Sequence, residues 1–485
     1  MIPKFTIAGI ASQLSQKKPR SLLLLGLLFG IFPALFSIGF HHPDEQFSIL
    51  ELMNYKLGNV STDIFNWDFH LKIRPFFQVA IYTSIYKFFG ILGFENPFHF
   101  SALIRFFNYA LGVFSFYRLI FSPLITLSQD QRNKLLLIVL SLWFVPYIMV
   151  RTSSESLSIS LFLLGLSFYT LEKKGRNFFI MGLLMGLSFA TRFQMGISAF
   201  SFFLWLVFIK GKSFWRASAF MCVGVVLGAA SLMLFDYWGY GDLVFSPWNY
   251  LRENLINQKV NSFGVKPFYY FFTKGLVKGG VFPALLCLIG AIVFLRKNIR
   301  SPWPWIMLPY LVVHSLIGHK EVRFLNFLYV LTPILAYMSW DHFKFKGRGI
   351  LLKLAIGINI ILLFRVSFFP VYKPLVIYRY IFEKIPSVEK IYTPISTDRA
   401  PLTLQMRFYT KSERKLIGKR FDELEQLDGI YHLLTSRFDE RRFAYNLGCH
   451  ELESLYPKWV YEFNYFNWLN RSAIWTLWSC QKSTN

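Results

Sequence analysis

The chain has 485 residues, of which 54% are apolar, 19% aromatic and only 16% charged, a composition outside the soluble average and typical of a polytopic membrane protein. A net charge of +25 suits nucleic acid in a soluble protein; here the basic residues fall in short clusters between apolar runs, so membrane orientation accounts for them and nucleic acid is set aside as a partner. Of the four cysteines, Cys222 and Cys287 lie in apolar runs and read as packing residues. Cys449 and Cys480 share no metal-binding spacing with them and can pair if the C-terminal region faces an oxidising compartment.

In chain order, Lys17, Lys18 and Arg20 precede an apolar run with no small-residue cleavage site, which reads as an uncleaved first helix with its basic side in the cytoplasm. Eleven runs are expected to cross the membrane: 21–40, 101–121, 134–150, 155–171, 177–191, 195–209, 217–235, 271–295, 303–318, 324–340 and 349–369. Several are shorter than the ~20 residues of a straight span. Eleven crossings put every basic cluster on the cytoplasmic side. These are Lys17/Lys18/Arg20, the stretch from Arg118 to Lys134, Lys173/Lys174/Arg176, Lys210/Lys212/Arg216, Arg296/Lys297/Arg300 and Lys344/Lys346/Arg348. A twelfth run, 75–93, would reverse that parity by crossing, so it is expected to be interfacial or re-entrant, with Arg74 and Lys87 in polar surroundings.

The same parity gathers the unusual polar residues on the opposite face: 41–67, 151–155, Arg192, 236–270 and 319–323. After 369 the composition becomes that of a soluble domain, with strand-like pieces at 388–392, 430–434 and 473–478 and helix-like pieces at 401–409 and 421–427. The expected division is a transmembrane catalytic domain, 1–369, and an extracytoplasmic α/β domain, 370–485. Asn59 and Asn470 begin glycosylation-type triplets.

Two knots carry chemistry. His41-His42-Pro43-Asp44-Glu45 follows the first apolar run, where ionisable groups are costly near hydrocarbon and mark function. Adjacent carboxylates on a helix point apart, so one suits a general base and the other an orienting group. The structural alternative is that Asp44 caps the following helix. His319-Lys320-Glu321-Val322-Arg323-Phe324 offers a point charge and a bidentate fork, a pairing suited to phosphate. Alternatively, its cations pair with Glu321 and only seat the helix. Arg74, Arg151 and Arg192 stand at membrane-end positions and serve either the site or snorkelling. The loop holding Asp236, Tyr240 and Trp248, with His42 across the same face, has the rings and polar groups that bind sugars, a composition shared with interfacial aromatic belts.

These two motifs together resemble the signature pair of the Alg9-type mannosyltransferases, which include the GPI mannosyltransferases, within the GT-C superfamily (glycosyltransferase family 22). The resemblance extends to Trp67, Arg74-Pro75, Arg151-Thr152, Arg192 and the loop with Asp236, Tyr240, Pro247, Asn249 and Tyr250. It implies a GT-C-type membrane protein with a conserved seven-helix module, a long first outer loop and a further outer loop after the seventh helix. Together with the runs above, the expected fold is mainly α, of about eleven transmembrane helices with interfacial helices in the first outer loop, plus a small C-terminal soluble α/β domain. It implies inverting transfer of mannose from a polyprenyl-phosphate carrier to a glycan or glycolipid acceptor, with no metal or other cofactor. By position, Asp44 is the base with Glu45 its neighbour, and His319, Lys320 and Arg323 face the donor phosphate, with Arg74, Arg151 and Arg192 as further candidates to bind it. Phe193 replaces a frequent Pro, and Val322 stands where Glu or Phe is usual. The alternative, a transporter or flippase for an anionic lipid-linked substrate, would use the cations but has no use for a carboxylate pair on the same face. Without a dilysine or Lys-Asp-Glu-Leu type ending, the expected location is a bacterial inner membrane, with the endoplasmic reticulum membrane as the alternative.

Overall fold

A computed structural model of the chain describes residues 18–342, 345–395, 405–410 and 415–482. Lys17, Lys344 and positions 401–404 of the helix expected at 401–409 lie outside the described residues. Each of the eleven apolar runs is helical over most of its length. The first is α1 (Pro19–Phe29) and α2 (Ile31–Phe36), followed by α3 (Phe77–Ile91), α4 (Pro97–Ile120), α5 (Gln129–Ser141), α6 (Phe144–Met149), α7 (Ser154–Leu166) and α8 (Gly175–Thr191). Next come α9 (Met195–Trp205), α10 (Trp215–Tyr240), α11 (Tyr270–Lys278), α12 (Phe282–Lys297), α13 (Pro302–Leu316), α14 (Asn326–Met338) and α15 (Arg348–Phe368). Breaks have local causes: Pro146 has no N–H to offer a preceding carbonyl, and α5 gives way to α6 just before it.

Among the described residues, three helical stretches are long and apolar enough to cross a membrane: Pro19–Phe36, Met195–Tyr240 and Arg348–Phe368. The pair Phe282–Lys297 and Pro302–Leu316, bent by 120°, is a fourth if it counts as one span. The chain is a mainly helical, multi-pass membrane protein. Shorter apolar helices are wrapped by protein: α7 is buried along almost its whole length, its Ser156, Ser158 and Ser160 hydroxyls donating to carbonyls of Met149, Glu155 and Ser156. A helix enclosed in this way is under no demand to match the bilayer's thickness. Helix α3, at 15 residues, is about 22 Å long, less than the ~30 Å hydrocarbon layer.

The described chain divides into two compact units, one made of the helices up to Ser37 with Phe65–Gly93 and Ser101–Phe369, the other of Ile38–Ile64, Phe94–Phe100 and the chain from Pro370 onward. In the first, α8 and α10 meet backbone to backbone. A Cβ on Gly182 would stand 2.0 Å from the Met221 carbonyl oxygen, and one on Gly224 2.2 Å from that of Phe179. Glycines four residues apart on both helices (Gly182 and Gly186, Gly224 and Gly228) permit this approach, the usual device for joining membrane helices.

The second unit contains a five-stranded mixed sheet of β1 (Lys390–Pro394), β2 (Lys415–Lys419), β3 (Gly429–Thr435), β4 (His450–Ser454) and β5 (Thr476–Lys482), in the order β2-β1-β3-β5-β4. β1 pairs in parallel with β2 and β3, and β5 pairs antiparallel with β3 and β4. Alternate residues face opposite sides. Leu434 and Leu477 pack with Ile377 and Ile381 of α16 (Leu375–Lys384), while Leu433 and Trp478 pack with Leu424 of α17 (Phe421–Glu425) and Ala444 of α18 (Phe438–Asn446). The strands expected at 388–392, 430–434 and 473–478 are β1, β3 and β5, displaced by up to a few residues. β2 and β4 are edge strands without a clear apolar alternation, and for that reason they escape a sequence pattern. Cys449 and Cys480 form a disulfide.

Candidate active site

In the second unit, the His-Pro-Asp-Glu turn opens a helix. The first apolar run, expected to reach Phe40, stops being helical after Phe36, and Pro43 occupies the first position of the new helix. His42, rather than Asp44, is its N-cap: His42 Nδ1 accepts from the Asp44 N–H at 3.2 Å. Glu45 is buried and accepts from the His41 N–H at 3.0 Å, binding the motif to itself. Asp44, by contrast, keeps about a quarter of its side chain exposed, 26%. The helix continues through a π-turn, Gln46–Leu50, into Glu51–Lys56. Buried Glu51 there accepts from the Phe408 N–H, Gln46 and Asn54, yet burial outweighs these bonds and pushes its carboxyl above the ordinary range.

In the first unit, a second cluster centres on two carboxylates. Glu155 lies in the first turn of α7, whose N-cap Ser153 accepts from the Ser156 N–H. It is almost fully buried and pairs with Arg192 at 3.0 Å and Arg323 at 3.4 Å. Glu321 accepts from Arg323 Nε and lies 3.0 Å from His319 Nε2. The other ring nitrogen of His319 faces the Gly264 carbonyl, also at 3.0 Å. The guanidinium carbons of Arg192 and Arg323 each stand 5.5 Å from the centre of the Phe324 ring, which both can engage through cation–π attraction. Lys320 donates to the carbonyls of Lys266 and Ile317, and burial pulls its pKa below the ordinary lysine value. Its two backbone bonds pin the loop before α11 to the turn. Two arginines thus meet two carboxylates in this cluster, and Lys320 stands in the same turn as Arg323.

The remaining predicted residues of this unit hold its walls. Arg151 is buried and donates to the Ser37 carbonyl and hydroxyl at 2.7 and 2.8 Å, while Arg105 donates to the Ala34 carbonyl. Two arginines thus satisfy the last carbonyls of α2, a few residues ahead of Asp44 in the chain. Arg74 pairs with Asp68 at 2.8 Å, and the Tyr240 hydroxyl bonds both its N–H and its carbonyl. Asp236, fully buried, accepts from the Phe76 N–H at 3.0 Å and from the Ser246 hydroxyl and N–H, tying α10 to the start of α3 and to its own loop. Trp248 is exposed. Asn249 donates to the Lys72 carbonyl, and Tyr250 accepts from Gln194.

The structure therefore brings Arg192 and Arg323 together on one carboxylate and gathers His319, Lys320 and Arg323 in one turn; Arg74 joins Tyr240, and Arg151 joins α2. The sequence places Glu155 at the end of the 151–155 knot and Phe324 at the end of the second motif without giving either a role of its own. A carboxylate in the first turn of an apolar helix was the available signal for Glu155, and the motif itself was the signal for Phe324. Among the described residues no group of three or more His, Cys, Asp or Glu side chains is placed to hold a metal ion.

Residues 21–410 match the model of the Alg9-like mannosyltransferase family. Of curated proteins, mannosyltransferase APTG1 of Arabidopsis thaliana is 22% identical over 317 residues, covering 63% of this chain and 56% of that protein. GPI mannosyltransferase 3 of Candida albicans is 26% identical over 340 residues, covering 66% of this chain and 64% of that protein. The chain spans less than two thirds of the length of these two relatives. A solved structure, ArnT from Cupriavidus metallidurans bound to undecaprenyl phosphate, shares the fold with a TM-score of 0.57 at 11% identity, over 95% of this chain and 97% of that one.

Proposed function

This chain belongs to the Alg9-like mannosyltransferase family, and from that premise we propose that it transfers mannose, with inversion, from a polyprenyl-phosphate carrier to a glycan or glycolipid acceptor. The observation that carries the reading is the pair of arginines, Arg192 and Arg323, held on the buried carboxylate of Glu155. Cations fixed in a poorly solvated site stabilise charge developing on a departing phosphate without having to reorganise. Polyprenyl phosphate as carrier accords with the undecaprenyl phosphate bound to ArnT, and a glycolipid acceptor with the GPI mannosyltransferase among the relatives.

In this mechanism the acceptor hydroxyl gives its proton to the Asp44 carboxylate as its oxygen bonds to the anomeric carbon. The bond from that carbon to the carrier phosphate breaks on the opposite side, and the phosphate leaves with the electron pair. The leaving group needs no protonating acid when cations balance its charge. Arg323, Arg192, Lys320 and His319 act on the donor side, with Arg74 and Arg151 holding the backbone around them. Glu45 and His42 hold the turn from which Asp44 projects. Trp248 offers a ring for sugar stacking, and Asp236 and Tyr240 fix the loop that carries it.

The proposal includes eleven crossings of the GT-C type, a catalytic domain over 1–369 and an extracytoplasmic domain over 370–485. The site then opens on the non-cytoplasmic face, of a bacterial inner membrane in preference to the endoplasmic reticulum. Asp44 belongs to the same compact unit as the Cys449–Cys480 disulfide, and a disulfide fits an oxidising compartment. The direct test is to incubate the purified protein with polyprenyl-phosphate-mannose and a panel of glycan and glycolipid acceptors, reading new linkages by mass spectrometry. Transfer to none of them defeats the proposal. Asp44→Asn is expected to lower turnover by about 10²-fold or more, in the range for loss of a general base, while the protein stays folded. A variant retaining most of the activity removes Asp44 from that role.

A further inference from the structure

Segment 457–471 of the second unit has no part in the proposed chemistry, yet it holds six aromatic residues in fifteen positions. Two of them are anchored inward: Trp468 packs on Tyr456 at 5.6 Å, and Tyr461 lies under the Arg441 guanidinium at 4.0 Å. The other four, Trp459, Phe463, Tyr465 and Phe466, are exposed, with Phe466 at 93%. Phe466 and Asn467 have φ of +55° and +57°, a left-handed conformation that side chains other than glycine rarely adopt. Contiguous exposed rings of this kind mark a surface that meets something apolar.

What meets them follows from where the chain enters the unit. The Ile38 carbonyl, just past α2, accepts from the Val371 N–H at 2.8 Å and the Tyr372 N–H at 3.2 Å, just past α15. Phe40 stacks on Tyr372 at 4.3 Å, and Gly39 leaves no room for a Cβ against it. Two leads, each arriving from a helix long and apolar enough to cross the membrane, therefore run side by side into one corner of the unit. At that corner Lys373 Nζ sits 4.2 Å from the centre of the Tyr456 ring, at the root of the aromatic segment. Lys458 and Arg471 flank the exposed rings. Aromatic rings bordered by Lys and Arg are the composition of the membrane–water interface.

We infer that the exposed rings of segment 457–471 insert into the interfacial layer of the lipid bilayer, with Lys458 and Arg471 at headgroup phosphates, holding the second unit to the membrane surface. The covalent leads tether this unit to membrane helices, so insertion needs no separate recruitment.

The test uses the full-length protein in vesicles of phosphatidylcholine and phosphatidylglycerol, with the free cysteines Cys222 and Cys287 replaced by serine. An environment-sensitive fluorophore is attached at Phe466→Cys, at Trp459→Cys and, as control, at Ile430→Cys. Ile430 is exposed and pairs with Gln481, at the end of the β3–β5 ladder away from Thr476, whose neighbour Ser454 bonds Tyr461. The expected result is strong quenching by lipid-borne nitroxide and protection from aqueous iodide at 459 and 466, with the reverse at 430. Iodide quenching at 459 and 466 equal to that at 430 overturns the inference. So does protection from iodide without nitroxide quenching, which would put a protein or glycan, not lipid, over the rings.

Discussion

Glu155 governs the cationic cluster through its position. At the capped N-terminus of α7 the helix dipole favours a carboxylate, and burial leaves that carboxylate and its arginines dependent on one another. Breaking a buried ion pair from one side costs about 3–5 kcal/mol because the remaining charge is left uncompensated. Glu155→Gln is therefore expected to lower the apparent melting temperature in detergent and to raise KM for the lipid-linked donor more than for the acceptor. Glu155→Asp, which keeps the charge, should recover part of both. Unchanged donor KM in the glutamine variant would remove Glu155 from the donor site. Glu51 supplies a contrasting residue. Its carboxyl is pushed up by burial, so the native state binds this proton more tightly than the unfolded chain does. Its contribution to stability is fully present below the ordinary glutamate value of about 4.3 and is lost as pH rises through the raised native value. Apparent melting temperature measured across pH should thus fall, relative to Glu51→Gln, as pH rises through that window. A constant offset between the two proteins contradicts the assignment.

Helices in this chain are placed by small residues and by capping arginines more than by length. The α8–α10 contact depends on glycines whose missing side chains let carbonyls approach, and overpacking such a site costs about 1–3 kcal/mol or more. Gly224→Leu should sharply reduce folded yield and thermal stability, whereas Gly357→Leu on α15, where nothing lies within 4 Å, should be tolerated; size-exclusion profiles and melting curves separate the two. Equal tolerance would mean that the two helices hold together without backbone contact. At the end of α2, the carbonyls left without intrahelical partners are met by Arg105 and Arg151. Arg151, which in sequence reads equally as a snorkelling anchor, thus joins Arg105 in meeting the carbonyls where the first helix stops.

At the scale of the whole molecule, compartment and stability meet in the Cys449–Cys480 disulfide, which closes a loop of sequence separation 31. A loop of that size contributes about 3–4 kcal/mol by restricting the unfolded chain. Cys480→Ser is expected to destabilise the sheet unit by that order. In whole cells Cys449 should resist thiol reagents until reduction; free reactivity without a reductant would place this unit on the cytoplasmic side. Class, helical runs and the two polar knots are properties of the sequence itself, because apolar length, basic flanks and His-Pro-Asp-Glu or His-Lys-Glu spacing are read within a few neighbouring residues. The strands with a clear apolar alternation were legible for the same reason. Edge strands β2 and β4, the grip of Glu155 on Arg192 and Arg323, and the use of Asp236 to bind the Phe76 N–H 160 residues away were decided only by tertiary structure. Burial and pairing belong to two segments at once, and a side chain's chemistry is settled by the partner that folding brings to it.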